Sequence, residues 1–290
     1  MSNGLPFDFP NFNGHFGEIL WTGYLGCGRY GNVYHGYLIK EGKDVAVKEV
    51  RGDIDPRQCR TILGEWCFLR HPNVLRFFDF HMETTALRGT TLHLMLEYAK
   101  HRSIKDYLQQ HQVVPDHNFL RWSLQVTGGL KFLHSNNIIH RHLKSSNILL
   151  DANYNVKLSD FGYEFVKRNL YKELFVEVSW IAPELIRGDQ SVEAVASGGS
   201  IEADVFALGM VMWEMTTCDQ PYKEKDNQYQ IMWASCVRAG RPRIPQNCSE
   251  EISELIQDCW HQVPVMRPDV ENILRRLEEI ELPRSEQKRV

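Results

Sequence analysis

Ile139-His140-Arg141-His142-Leu143-Lys144-Ser145-Ser146-Asn147-Ile148-Leu149-Leu150 is the stretch on which the reading of this 290-residue chain turns. Ionisable and amide side chains at fixed spacing (His140, Arg141, His142, Lys144, Asn147) are set in an apolar frame of Ile139, Leu143 and Ile148 to Leu150. Just before it, Phe119, Trp122, Val126, Leu130 and Leu133 recur at helical spacing. They predict an amphipathic helix that ends at Asn136-Asn137. Just after it comes Asp160-Phe161-Gly162. The polar stretch is therefore a loop delivered by a packed helix, and its chemistry depends on the motifs further out.

Toward the N-terminus, Gly26-Cys27-Gly28-Arg29-Tyr30-Gly31-Asn32-Val33 fits G-x-G-x-x-G-x-V. Glycines let the backbone come close to phosphates and turn N–H groups toward them. A plain β-turn is the competing reading. A dinucleotide-binding turn would open a helix, whereas Val33 to Leu38 continues as strand. Val45-Ala46-Val47-Lys48 follows on a further strand and matches V-A-I-K, a motif whose lysine pairs with phosphates and a helix glutamate. Glu65 is the candidate for that glutamate, in a segment that Asp55-Pro56 starts as a helix and that runs to about Arg70. Strands are predicted from Ile19 to Val50, from Val74 to Phe80 and from Thr91 to Tyr98. Ile201 to Met215, apolar nearly all round, predicts a buried helix, and Ile252 to Trp260 and Val270 to Ile280 predict two more.

With Ala182-Pro183-Glu184, Asp204-Val205-Phe206-Ala207-Leu208-Gly209 and Arg267-Pro268 added in order, the chain resembles a eukaryotic protein kinase domain over about Ile19 to Glu281. Trp180, Trp213-Glu214, Cys259-Trp260 and Lys144 resemble the tyrosine-kinase-like branch, including mixed-lineage-type serine/threonine kinases. The resemblance implies an α+β, bilobal fold. A small β-rich lobe with one regulatory helix covers 17–99, and a larger, mainly helical lobe covers 100–282. An irregular leader (1–16) and a polar tail (283–290) complete the chain. It also implies ATP and magnesium as cofactors. Gly26, Gly28 and Gly31 would cover the phosphates, and Lys48, paired with Glu65, would hold them. Val33, Ala46 and Leu149 would enclose the adenine, whose edge meets the Glu97 carbonyl and the Ala99 amide beside Leu96. Asn147 and Asp160 would hold the metal. His140 and Phe161 would stack in an internal spine, and Arg267 would pair with Glu184.

The catalytic loop of the family is H-R-D-L-x-x-x-N, and here the Asp position is His142. The Asp accepts the proton of the substrate hydroxyl. An imidazole accepts through one lone pair, and only when neutral. The segment from Tyr163 to Ile181 also contains no threonine: Glu177 stands where serine/threonine members carry one, with Val176 in place of a neighbouring glycine. His142, Lys144 and Glu177 are expected to form a charge-complementary cluster. The hydroxyls of this segment are Tyr163, Tyr171 and Ser179, and Tyr171 lies among Lys167, Arg168 and Lys172. The expectation is a pseudokinase that binds ATP and magnesium and works as a scaffold or allosteric regulator. The alternatives are an active or weak serine/threonine kinase and an engineered, inactivated one.

Composition narrows the setting. Net charge is −4, so no global basic field points to nucleic acid or anionic lipid. The seven cysteines are scattered without a C-x-x-C pair, which fits reduced thiols in a cytoplasmic protein. No apolar run reaches the ~20 residues of a membrane span. The chain shows no signal pattern, and neither Ser2 nor the Lys288-Arg289-Val290 end fits a lipid anchor. A protein partner or partner kinase is expected, and the oligomeric state is left open.

Overall fold

A computed structural model of the chain describes residues 18–28, 31–51, 54–85, 89–162, 178–187 and 199–280. It divides into two compact units, with the break in the chain between Ala99 and Lys100, and with Pro72–Val74 belonging to the second unit.

The first unit is an antiparallel sheet with one helix. Strands β1 (Ile19–Cys27), β2 (Asn32–Leu38), β3 (Lys43–Arg51), β4 (Phe77–Thr85) and β5 (Gly89–Glu97) lie in the order β1-β2-β3-β5-β4. Register fixes the faces. Val33 lies opposite Lys48, Ala46 opposite Leu96, and Lys48 opposite Leu94, so these side chains share one face. The alternate residues Val45, Val47 and Met95 pack with Leu38 on the other. Glu49 also lies on that second face, buried, where it accepts from Arg51 Nη2 (2.7 Å) and Asn32 Nδ2 (3.3 Å). Helix α1 (Pro56–Trp66) begins as the sequence predicts. Asp55 caps it by accepting from the amides of Arg57 and Gln58. It stops at Trp66, short of Arg70, and buries Cys59, Leu63 and Trp66.

The predicted strand from Val74 needs correction. Val74 makes a parallel bridge to Leu158 instead, next to the Leu158 N–Asn73 O bond of 2.8 Å, and β4 starts only at Phe77. The apolar run was continuous, but its first residues pair with a different sheet.

In the second unit, α2 (Ile104–Gln110) is held by a reciprocal cap between Ser103 and Asp106. The long helix α3 (Asp116–Ser135) buries Phe119, Trp122, Val126, Leu130 and Leu133, the predicted stripe. Trp122 donates its indole N–H to Tyr154 O at 2.8 Å. Asn136 closes the helix, and Asn137 takes a positive φ of 58°. The polar loop follows and leads into the hairpin of β6 (Ile148–Leu150) and β7 (Val156–Leu158). Then come the short α4 (Pro183–Arg187) and α5 (Ile201–Thr217). Ser200 caps α5, and every residue from Ala203 to Met215 is buried. The rest is α6 (Gln228–Met232), which runs on into a π-helical turn at Trp233–Val237, then α7 (Glu250–Cys259) and α8 (Val270–Glu279). The chain is thus α+β, one sheet-rich unit and one helical unit. All seven cysteines are free thiols. No helix among the described residues is long and apolar enough to cross a membrane.

Candidate functional site

The polar loop is organised by one carboxylate from the buried helix. Asp204, 2% exposed, accepts from the backbone N–H of His140 (2.7 Å) and of Arg141 (2.8 Å), and its Oδ2 lies 2.9 Å from His134 Nε2. These bonds hold Arg141 at a φ of 63°, a left-handed conformation that a bulky side chain seldom adopts. His140 is buried, and its Nδ1 accepts from His142 N at 3.3 Å. Burial pushes its pKa down, so the ring is neutral and carries its proton on Nε2. It meets Phe161 at 6.2 Å between centroids, edge to face rather than in the expected stack.

His142 is buried beside Asn147. The Asn147 Nδ2 lies 2.8 Å from His142 O and 2.9 Å from His142 Nδ1. A carbonyl oxygen can only accept, so the amide nitrogen must face it, and this fixes the amide orientation. The same NH2 group then donates to Nδ1, which must be an acceptor. In that tautomer the ring proton of His142 sits on Nε2. Asn147 Oδ1 takes part in neither contact. The Asn147 carbonyl is used as well: it accepts from Ser159 N and Ser159 Oγ, both at 2.9 Å, which ties the loop to the chain entering Asp160-Phe161-Gly162. Asp160 has a φ of 59° and Gly162 of 63°.

A second carboxylate sits deeper. Glu214 of α5 accepts from Ser145 Oγ at 2.6 Å and from Trp180 Nε1 at 2.8 Å. Burial pushes its carboxyl up to about 7 against the opposing pull of those hydrogen bonds. It joins the polar loop to the segment leading into α4. Ser179, one of the candidate hydroxyls, is buried and donates to Pro221 O at 3.4 Å. Glu184 and Arg267 form the expected pair, doubly hydrogen-bonded at 2.7 and 2.8 Å.

The first unit carries the other candidates. Val33, Ala46 and Lys48 lie on one face of the sheet, and Lys48 is buried. Gly26 and Gly31 have φ values of 152° and 150°, and Gly28 N donates to Gly31 O at 2.8 Å, which closes the turn on itself. Glu97 and Ala99 stand at and just past the end of β5. Glu65 lies on the exposed side of α1. The burial phase of the helix, Cys59-Leu63-Trp66, turns it outward. Glu177, Tyr163 and Tyr171 fall outside the described residues.

Asp204 and Glu214 are the site residues that motif reading underused. The available signal was the placement of carboxylates within an otherwise apolar helix, since a buried charge needs partners.

Comparison with known proteins gives the same family throughout. The family model for protein tyrosine and serine/threonine kinase matches residues 19–277. Dual specificity protein kinase shkA of Dictyostelium discoideum is 33% identical over 91% of this chain, and mitogen-activated protein kinase kinase kinase 10 of Homo sapiens is 32% identical over 96%. Mitogen-activated protein kinase kinase kinase 12 of Rattus norvegicus is 30% identical over 91%. The chain spans 49%, 29% and 28% of the lengths of these three relatives, less than half of each.

Proposed function

This chain belongs to the protein tyrosine and serine/threonine kinase family, and on that footing we propose that it is a pseudokinase: a domain that binds ATP with magnesium and acts on a protein partner as a scaffold or allosteric regulator. The observation that carries this reading is the Asn147–His142 pair. Phosphoryl transfer to a hydroxyl needs an acceptor for the proton at the catalytic-loop position. His142 spends its one lone pair, on Nδ1, on the Asn147 amide and keeps a proton on Nε2, so the ring presents a donor there. Loss of general-base assistance costs on the order of 10²–10⁴ in rate.

The residues present suit the cofactor. Asn147 Oδ1 is the amide's acceptor oxygen and is not used by His142. Gly31 packs so closely on β3 that an added Cβ would lie 2.3 Å from Glu49 O, which keeps the turn bare of side chain there. Asn147 and Asp160 would hold the metal, and Gly26, Gly28, Gly31 and Lys48 the phosphates. Val33, Ala46, Leu149, Glu97 and Ala99 would take the adenine. The bound nucleotide would supply a transferable phosphoryl group that His142 is poorly suited to help deliver. A cytoplasmic setting accords with the free thiols.

A slow serine/threonine kinase is the second reading, and the retention of Lys48, Asn147 and Asp160 is what favours it. Melting curves with ATP and magnesium test the nucleotide half of the proposal, because binding to the folded state alone raises the melting temperature. A rise that is lost in Lys48→Ala supports it; no rise at millimolar ATP with magnesium counts against it.

A further inference from the structure

Two neighbours on β3 serve opposite faces of the sheet. Lys48 lies on the face of Val33 and belongs to the proposed phosphate site, while Glu49 points to the other face. Glu49 takes no part in that phosphate chemistry, yet it is only 8% exposed, and a buried carboxylate persists only with partners. Those partners lead to the glycine-rich turn. Asn32 is the first residue of β2, directly after Gly31. Its Nδ2 lies 3.3 Å from Glu49 Oε2 and 3.2 Å from Tyr34 Oη, and Tyr24 Oη lies 3.3 Å from its Oδ1. A carboxylate oxygen accepts, so the amide NH2 faces Glu49, and the amide oxygen accepts from the Tyr24 hydroxyl. Tyr24 and Tyr34 are themselves cross-strand partners, edge to face at 5.8 Å between centroids. One side chain thus ties β1, β2 and β3 together where the turn rejoins the sheet. The main chain is held at the same place, since a Cβ on Gly31 would lie 2.3 Å from Glu49 O.

The other oxygen of Glu49 meets a cation. Arg51 Nη2 lies 2.7 Å from Oε1, and the Arg51 side chain is exposed. His93 stands opposite Glu49 on β5, with Nε2 4.0 Å from Oε1. Burial lowers the His93 pKa to about 4, so near pH 7 the ring is neutral and adds no charge. The carboxylate therefore stays ionised, with one oxygen on Arg51 and the other on Asn32.

We propose that Glu49 is a positioning residue for nucleotide binding: through Asn32 it fixes the backbone of Gly28 and Gly31 in the conformation that receives phosphates. It touches no nucleotide itself. Glycine loses more conformational freedom on ordering than any other residue. A turn already ordered from behind spares the nucleotide that cost. The binding step rests on the nucleotide reading; the ordering of the turn does not.

The test reverses donor and acceptor across the pair. N32D sets a carboxylate against that of Glu49. In the double variant N32D/E49Q the introduced amide donates to the introduced carboxylate, so the contact returns with its polarity reversed. Amide exchange of Gly28, whose N–H donates to Gly31 O at 2.8 Å, is followed in nucleotide-free protein. ATP affinity with magnesium is measured on the same variants. N32D is expected to speed the exchange and to weaken ATP binding by about tenfold each, and the double variant to return both to within about threefold of wild type. N32A, which removes the contact without adding charge, should act in the same direction. V270A, which opens a cavity in the second unit, controls for lost stability and should change neither. Gly28 exchange that is alike in wild type, N32D and N32A overturns the proposal. So does exchange that rises with no loss of ATP affinity, or a loss that the double variant does not recover. The exchange comparison needs no nucleotide, so a failure of the nucleotide reading shows in the wild-type affinity and not in Gly28.

Discussion

Arg267 and Glu184 face each other as a fork on a fork, with Nη1 to Oε1 at 2.7 Å and Nη2 to Oε2 at 2.8 Å, and both side chains are out of solvent. Arg267 Nε also donates to His261 O, and Nη1 to Glu202 O, so the guanidinium joins α4, the start of α5 and the loop before α8. Removing one member leaves the other charged and buried. Arg267→Ala is expected to destabilise the protein by about 3–5 kcal/mol, more than a cavity of that size would suggest. Chemical denaturation measures it. A double variant that replaces both partners with apolar residues should recover part of the loss.

Glu214 makes stability pH-dependent. Its folded pKa of about 7 lies above the usual carboxylate range, so the folded state holds a proton that the unfolded chain releases more readily. Stability from this group is full below the unfolded carboxylate pKa, falls as pH rises toward 7, and levels off above it. The span corresponds to about 3 kcal/mol at most. Glu214→Gln should flatten that slope. The amide can still accept from Trp180 and donate to the Ser145 hydroxyl, so the variant should equal or exceed wild type at pH 8. A melting-temperature profile of both proteins from pH 5 to 8 checks this; parallel profiles would contradict it.

Asp204 governs the conformation of the polar loop. Asp204→Ala strips the acceptor from the amides of His140 and Arg141. Hydrogen bonds to a charged group are worth roughly 1.5–3 kcal/mol each. Amide hydrogen exchange at these two positions is expected to rise by about tenfold or more, ahead of any change in β4 or β5. Unchanged protection would remove Asp204 from its organising role.

Gly31 tests the turn between β1 and β2. Its φ of 150° and the Glu49 carbonyl in the path of any Cβ leave no room for a side chain. Gly31→Ala is expected to cost about 1–3 kcal/mol in stability, because the obstructing atom is backbone and cannot rotate away. Gly28→Ala, where an added Cβ would meet Gly31 O only at 3.9 Å, should cost less.

Periodicity and end signals made most elements legible in advance. Asp55-Pro56 marked the start of α1, and the Phe119-to-Leu133 stripe marked α3. What they missed has physical reasons. Val74 continues an apolar run in sequence but pairs with Leu158, a choice that only long-range register decides. Helix α2 is short, and its stability comes from the Ser103–Asp106 cap more than from a pattern. The π turn at Trp233 has no local signature. In the site, ordered motifs point to Lys48, Asn147 and Asp160, whereas Glu65 rests on family position alone, and the phase of its short helix leaves it exposed. The tautomer of His142 was not readable at all, since it follows from which way the Asn147 amide points.

The most direct measurement is transfer of labelled γ-phosphate from ATP with magnesium to a generic protein substrate. It compares the unmodified protein, Lys48→Ala and His142→Asp. With the proton of His142 held on Nε2, transfer by the unmodified protein is predicted to be indistinguishable from that of Lys48→Ala, while ATP still raises its melting temperature. Transfer at ordinary kinase rates by the unmodified protein, abolished in Lys48→Ala, would contradict the account.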